Sequence, residues 1–197
     1  MRWTTFTITT FIALVLELGL RTLWVVYLGG VGAGPVSPSL LLILAVFVWL
    51  WASRSAALWA AVVLGVLVDL QPMAIAGARA DAAVIGPSSL GFLTACAITL
   101  QMRSVMFRTS PLTMGLIVAV AGLFAHLITV SILTVRGLPV LTYGPISGWS
   151  ASSQIYTRFF ELLYTAIVAV PSGWLLMRTR AWWNFPSINT GRQRRTV

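Results

Sequence analysis

Acidic residues are nearly missing from this chain: four Asp and Glu stand against thirteen basic residues in 197, for a net charge of +9. Charged residues of both signs make up only 9% of the sequence, where a water-soluble domain uses roughly 25% to cover its surface. So few charges cannot shield a chain that is 58% hydrophobic with a mean hydropathy of +0.92, and the expected solvent is the bilayer. Lysine is absent, and the thirteen Arg sit between apolar blocks and at the C-terminus. That placement argues against nucleic-acid binding, which needs a basic stripe exposed to water. One cysteine, Cys96, lies inside an apolar block, so there is no disulfide framework and no CxxC metal pair. Catalytic signatures are missing too: no G-x-S-x-G elbow, no H-E-x-x-H and no G-x-x-x-x-G-K-[ST]. The glycines at 29, 30, 32 and 34 read as a flexible outer turn closed by Pro35, because they do not take the spacing of a phosphate loop. The expectation is a protein that is not an enzyme and holds no cofactor or metal.

What is present is six apolar blocks: Thr4 to Leu28, Val36 to Ala52, Ser55 to Leu70, Ile85 to Gln101, Pro111 to Val135 and Ile155 to Met177. The first is longer than the roughly 7 to 15 residues of a cleavable signal core and carries Glu17 and Arg21, so it reads as a retained helix. A spanning helix takes about 20 residues. Blocks one, five and six pass easily; blocks two to four must tilt, borrow flanking residues or, for two and three, pair as a re-entrant hairpin. The expected fold is all-α, a polytopic bundle of about six transmembrane helices over residues 1–183, followed by a basic cytoplasmic tail at 184–197.

Arginine placement supports the count. With both termini in the cytoplasm, Arg2, Arg54, Arg103, Arg108, Arg178, Arg180, Arg192, Arg194 and Arg195 fall inside, while Arg79, Arg136 and Arg158 fall outside. This is the positive-inside bias. Trp24 and Tyr27 would mark the outer interface, and Trp49, Trp51, Trp59, Trp182 and Trp183 the inner one.

Spacing of four stacks side chains on one helix face, and small residues there let helices approach where lipid gives no hydrophobic drive. Thr9, Ala13, Glu17 and Arg21 form such a stripe, as do Ala57, Ala61, Gly65 and Asp69; Gly91, Ala95 and Thr99; and Glu161, Thr165, Ala169 and Gly173, while Gly115, Ala119, Gly122 and His126 follow at steps of four, three and four. A charge at the bilayer centre costs about 2.5 to 3.5 kcal/mol even on a lenient scale, so Glu17 and Arg21 are expected to pair or point inward, with a structural pair on their own helix as one reading and a partner contact as its rival. Asp69 reads either as an interfacial residue or as a helix-end hydrogen-bond partner. His126 reads as a satisfied core polar group, with a proton relay as the rival, and Glu161 as the partner of Arg158 three residues away.

Two segments carry a resemblance. Gly65-Val66-Leu67-Val68-Asp69 followed by Gly86-Pro87-Ser88-Ser89-Leu90-Gly91 resembles the G-x-x-x-D and small-polar-x-L-G pattern of the rod shape-determining protein MreD family, although the stretch between Asp69 and Leu90 is longer here and carries Arg79 and Asp81. The closing Pro171-Ser172-Gly173-Trp174-Leu175-Leu176 with Arg178 and Arg180 is also similar to that family. The resemblance implies a non-enzymatic inner-membrane component of the bacterial elongation machinery, partnered by an MreC-like single-span protein and through it by MreB, RodA and a transpeptidase penicillin-binding protein. It implies helix-packing or partner-binding roles for Gly65, Asp69, Leu90, Gly91 and Gly173. The family also resembles the six-helix substrate-binding subunits of energy-coupling-factor vitamin transporters, which gives the alternative function; the polar loop Thr142 to Gln154 would then cap a ligand pocket.

Overall fold

The computed structural model describes residues 1–27, 35–71, 86–103, 110–136 and 151–185. These are helical apart from one two-residue strand pairing: α1 (Trp3–Gly19), α2 (Arg21–Trp24), β1 (Val26–Tyr27), β2 (Pro35–Val36), α3 (Leu40–Trp51), α4 (Arg54–Leu70), α5 (Pro87–Met102), α6 (Pro111–Arg136), α7 (Ala151–Arg178) and a closing 3-10 helix, Thr179–Trp183. The stretch 28–34, with its glycines, and residues 142–150 of the polar loop lie outside the described residues, as do Arg79, Asp81, Arg108 and the tail beyond Phe185.

Each apolar block contains one long helix, with three differences at the ends, one being that α7 starts at Ala151, four residues before block six and within the segment read as a polar loop. Block one was expected to run unbroken to Leu28, but α1 stops at Gly19, α2 adds a single turn, and the chain then pairs Val26 with Val36 in antiparallel strands. Val25, Val26 and Tyr27 are strand formers, so the extended conformation is the local preference there. Block two starts four residues late, because Pro38 does not sit inside a helix and Ser39 caps α3 by accepting from the Leu42 N–H.

Successive long helices run antiparallel between two ends. At the end that holds the start of α1 and the finish of α7, here the basal end, the Arg2 N–H donates to the Trp183 carbonyl at 3.0 Å and Arg103 from the end of α5 donates to Ala52 at the end of α3 at 2.8 Å. At the distal end Glu17 of α1 meets the start of α3, and Asp69 of α4 meets the start of α5. The core is α3. Every residue from Leu41 to Ala52 is buried, enclosed by α1, α4, α5, α6 and α7. The reason is in its sequence, LLLILAVFVWLW, because a helix that is apolar all round has to be buried on every side.

Two segments, Pro111–Val135 and Gln154–Trp183, are long and apolar enough to cross a membrane; Trp3–Gly19 and Leu40–Trp51 are apolar but shorter.

Candidate functional site

The α4–α5 junction brings together the two segments that sequence reasoning singled out. On α4, Ala57, Ala61, Gly65 and Asp69 are all buried on one face. The Asp69 carboxylate accepts from the Gly86 N–H at 2.8 Å and from the Ser88 N–H at 3.0 Å. Gly86 precedes α5 at φ 127°, a backbone region open to glycine, and Pro87 follows at a first-turn position where its missing N–H is harmless. Since glycine has no side chain to cap α5, a carboxylate from the neighbouring helix supplies the cap. Its negative charge suits the positive end of the α5 dipole. One turn back, Gly65 lets α5 come close: a Cβ there would lie 2.5 Å from Ser89 Cα and 2.9 Å from Ser89 N. Thus, of the two readings of Asp69, the structure has the helix-end hydrogen-bond partner.

Leu90 is half exposed, while Gly91 packs against α6, where a Cβ would fall 2.6 Å from the Ala125 carbonyl oxygen and 2.9 Å from Thr129 Oγ1. Gly173 of α7 faces α6, with Met114 Sδ 2.6 Å from its would-be Cβ.

A second carboxylate does for α3 what Asp69 does for α5. Glu17 Oε2 accepts from the Leu41 N–H at 3.0 Å and Oε1 accepts from Gln71 Nε2 at 3.3 Å. Where the sequence suggested a pair with Arg21 on its own helix, Glu17 is therefore directed to α3 and the end of α4. The neighbouring Ser39 N–H donates to Thr165 Oγ1 at 3.0 Å, and Thr165 in turn donates to the Glu161 carbonyl at 2.7 Å. Glu161 also closes the expected ion pair, its Oε2 2.8 Å from Arg158 Nη1. These bonds link α1, α3, α4 and α7 in one polar layer. Its members Ser39, Gln71 and Thr165 were not singled out as a set. Only the Ser39 cap has a local signal, a Ser after Pro and before an apolar run.

The basal end is aromatic and basic. Arg180 stacks over Trp51 with its guanidinium carbon 3.7 Å from the ring centroid, and Arg178 over Trp174 at 3.8 Å. Trp49 and Trp183, expected to mark an interface, are buried in the core, Trp49 against Phe92 and Trp183 between Phe47 and Phe185. Trp59 and Trp182 are exposed. Phe185, assigned to the tail by sequence, also meets Phe47 and belongs with the bundle.

His126, expected from the sequence to be a satisfied core group, lies on α6 with Nε2 buried but without a hydrogen-bond partner among the described residues. Among those residues no three His, Cys, Asp or Glu gather as metal ligands, and Cys96 is a buried free thiol. Comparison of the chain with protein-family models, curated proteins and solved structures finds no match.

Proposed function

We propose that this chain is a non-enzymatic scaffold of the bacterial inner membrane, of the rod shape-determining MreD type, which serves cell elongation and peptidoglycan synthesis by holding an MreC-like single-span protein. The observation that supports this most is the α4–α5 junction. The two motifs that carry the resemblance, seventeen residues apart from Asp69 to Gly86, form one contact in which Asp69 caps α5 and Gly65 admits Ser89. The use of the acids fits a scaffold as well: Glu17 and Asp69 hold helix starts and Glu161 pairs with Arg158.

In this reading the bundle crosses the bilayer six times with both termini in the cytoplasm, the basal end inside and the distal end outside. At 1.5 Å per residue, the 17 residues of α4 and 16 of α5 rise about 24 to 26 Å, close to a hydrocarbon core of roughly 30 Å. The 12 residues of α3 rise only about 18 Å. That shortfall is tolerable because α3 touches protein on every side, and non-helical backbone at membrane depth is allowed where protein meets its polar groups, as Thr165 meets the Ser39 N–H.

The test is depletion together with affinity purification of the full-length chain from its host membranes. Loss of elongation and recovery of an MreC-like single-span protein are expected; normal elongation together with a tightly retained vitamin would replace the scaffold by the transporter subunit.

A further inference from the structure

Charge is divided between the two ends of the bundle. The described acids, Glu17, Asp69 and Glu161, all belong to the distal half, where backbone N–H groups and Arg158 engage them. The basal end carries Arg2, Arg54, Arg103, Arg178 and Arg180 with no acid among the described residues, and all but Arg103 are exposed. Arg103 has an internal task, since it binds the last carbonyl of α3.

Arg178 and Arg180 differ from ordinary surface arginines in being held. Each sets its guanidinium carbon over an indole ring, 3.8 Å from the centroid of Trp174 and 3.7 Å from that of Trp51 respectively. Stacking uses the face of a guanidinium and fixes its plane, while the N–H groups that bind phosphate oxygens in pairs lie at its edge. Two guanidiniums so held, two residues apart in sequence at the finish of α7, are suited to a phosphate.

The surface leading to Arg178 identifies which phosphate. Along α7, Leu163, Ile167, Pro171, Trp174 and Arg178 follow at steps of four, four, three and four, and all are exposed, Leu163 at 51%, Ile167 at 63% and Trp174 at 50%. These steps place them on one helix face, an unbroken apolar track about 22 Å long that ends in a guanidinium. A free phosphate or an acidic protein segment has no use for such a track. An acyl chain laid along it would bring its headgroup to Arg178.

We propose that the basal rim of α7 is a binding site for an anionic phospholipid, the phosphate held by Arg178 and Arg180 and an acyl chain lying along Leu163, Ile167 and Trp174. The proposal rests on the membrane part of the reading above but not on the elongation partner.

The test is native mass spectrometry of the full-length chain in detergent, offered equal amounts of phosphatidylglycerol and phosphatidylcholine. Retention of phosphatidylglycerol is expected to dominate and to fall by about tenfold in the Arg178→Gln/Arg180→Gln variant, because basic groups at the headgroup level carry the attraction. Arg158→Gln, an arginine at the far end, is expected to keep the preference. Trp174→Leu keeps the track apolar but removes the stack, and is expected to weaken retention while the helical circular dichroism stays unchanged. Equal retention of the two lipids, or displacement of phosphatidylglycerol by excess inorganic phosphate with no dependence on acyl chains, overturns the proposal. Recovery of the chain from cells in the alkaline-soluble fraction rather than the membrane pellet would instead overturn the membrane reading, and this proposal with it.

Discussion

Asp69, at the end of α4, reaches the start of the next helix and takes the Ser88 N–H at 3.0 Å while its other oxygen takes Gly86 at 2.8 Å. Across the bundle Glu17 stands in the same relation to Leu41, at 3.0 Å. Both are carboxylates lent by one helix to the N-terminus of another. The chain has four acids in all, and placing two of them at helix starts resolves two problems together: it satisfies backbone donors that apolar surroundings would leave stranded, and it sets each negative charge against the positive end of a helix dipole.

Asp69→Asn is therefore expected to destabilise the protein rather than act as a silent isostere. Asparagine offers one carbonyl oxygen where two N–H groups need acceptors, and turns its own amide donors toward one of them. Leaving a buried backbone donor unmet costs about 1 to 3 kcal/mol, so the detergent-solubilised variant should melt earlier, and Asp69→Ala earlier still. A melting temperature equal to wild type for both would show that the cap carries no stability.

Glycine positions should separate by what a side chain would meet. At Gly65 the obstacle is Ser89 backbone and at Gly91 it is the Ala125 carbonyl, neither of which can swing aside. Gly65→Ala and Gly91→Ala are expected to lower folded protein in the membrane, since overpacking costs typically about 1 to 3 kcal/mol. Gly19 has nothing within 4 Å of its would-be Cβ, so Gly19→Ala should accumulate at least as well as wild type, alanine being favoured over glycine in helices by up to about 1 kcal/mol. Western blotting of membrane fractions ranks the three, and a loss at Gly19 matching that at Gly65 would rule out close approach as the cause.

Glu17 yields a graded series. Glu17→Gln keeps an acceptor for the Leu41 N–H, whereas Glu17→Leu leaves that N–H, and Gln71 Nε2, without it. The expected order of thermal stability is wild type, then Gln, then Leu, with the last step worth about 1 to 3 kcal/mol as an unmet buried donor. Leu more stable than Gln would mean that water already serves Leu41.

Helix positions were legible because block length and composition fix them: α4 begins one residue before its block and α6 ends one residue after its own. The break at Leu20 was hidden by the unbroken apolar run around it. The stripe Ala57, Ala61, Gly65, Asp69 was legible as a face, but its neighbour was not, since helical periodicity says which side is buried and nothing about what covers it. Glu17 shows the limit most clearly. The nearest opposite charge in sequence is Arg21, and local spacing favours that pair, yet the structure sets Glu17 against a backbone N–H at Leu41. Backbone donors exposed at a helix start leave no mark in the sequence unless the helix boundary is already known. The burial of Trp49 and Trp183 was hidden for a related reason: tryptophan near a block end suits a headgroup region, and nothing in the sequence shows that the end of α3 is wrapped by other helices, which makes its aromatic side chains core.

Orientation is the last expectation, and it follows from the charge division. The basal end carries five described arginines, and the distal end carries the described acids. Basic residues near helix ends are retained on the cytoplasmic side, so the basal end, with the start of α1 and the finish of α7, should face the cytoplasm. A periplasm-dependent alkaline phosphatase fused after Val197 should then be inactive, and one inserted at residues 142–150, between α6 and α7 in sequence, active. Cysteine labelling checks the same point without a fusion: with Cys96 buried in α5, Thr179→Cys should resist a membrane-impermeant maleimide in intact cells and react after lysis, and a cysteine placed at Thr142 should react in both. Activity at the C-terminal fusion with none at 142–150, or labelling of Thr179→Cys in intact cells, would reverse the bundle; activity at both fusions would mean that α7, which alone separates the two sites, does not cross the membrane.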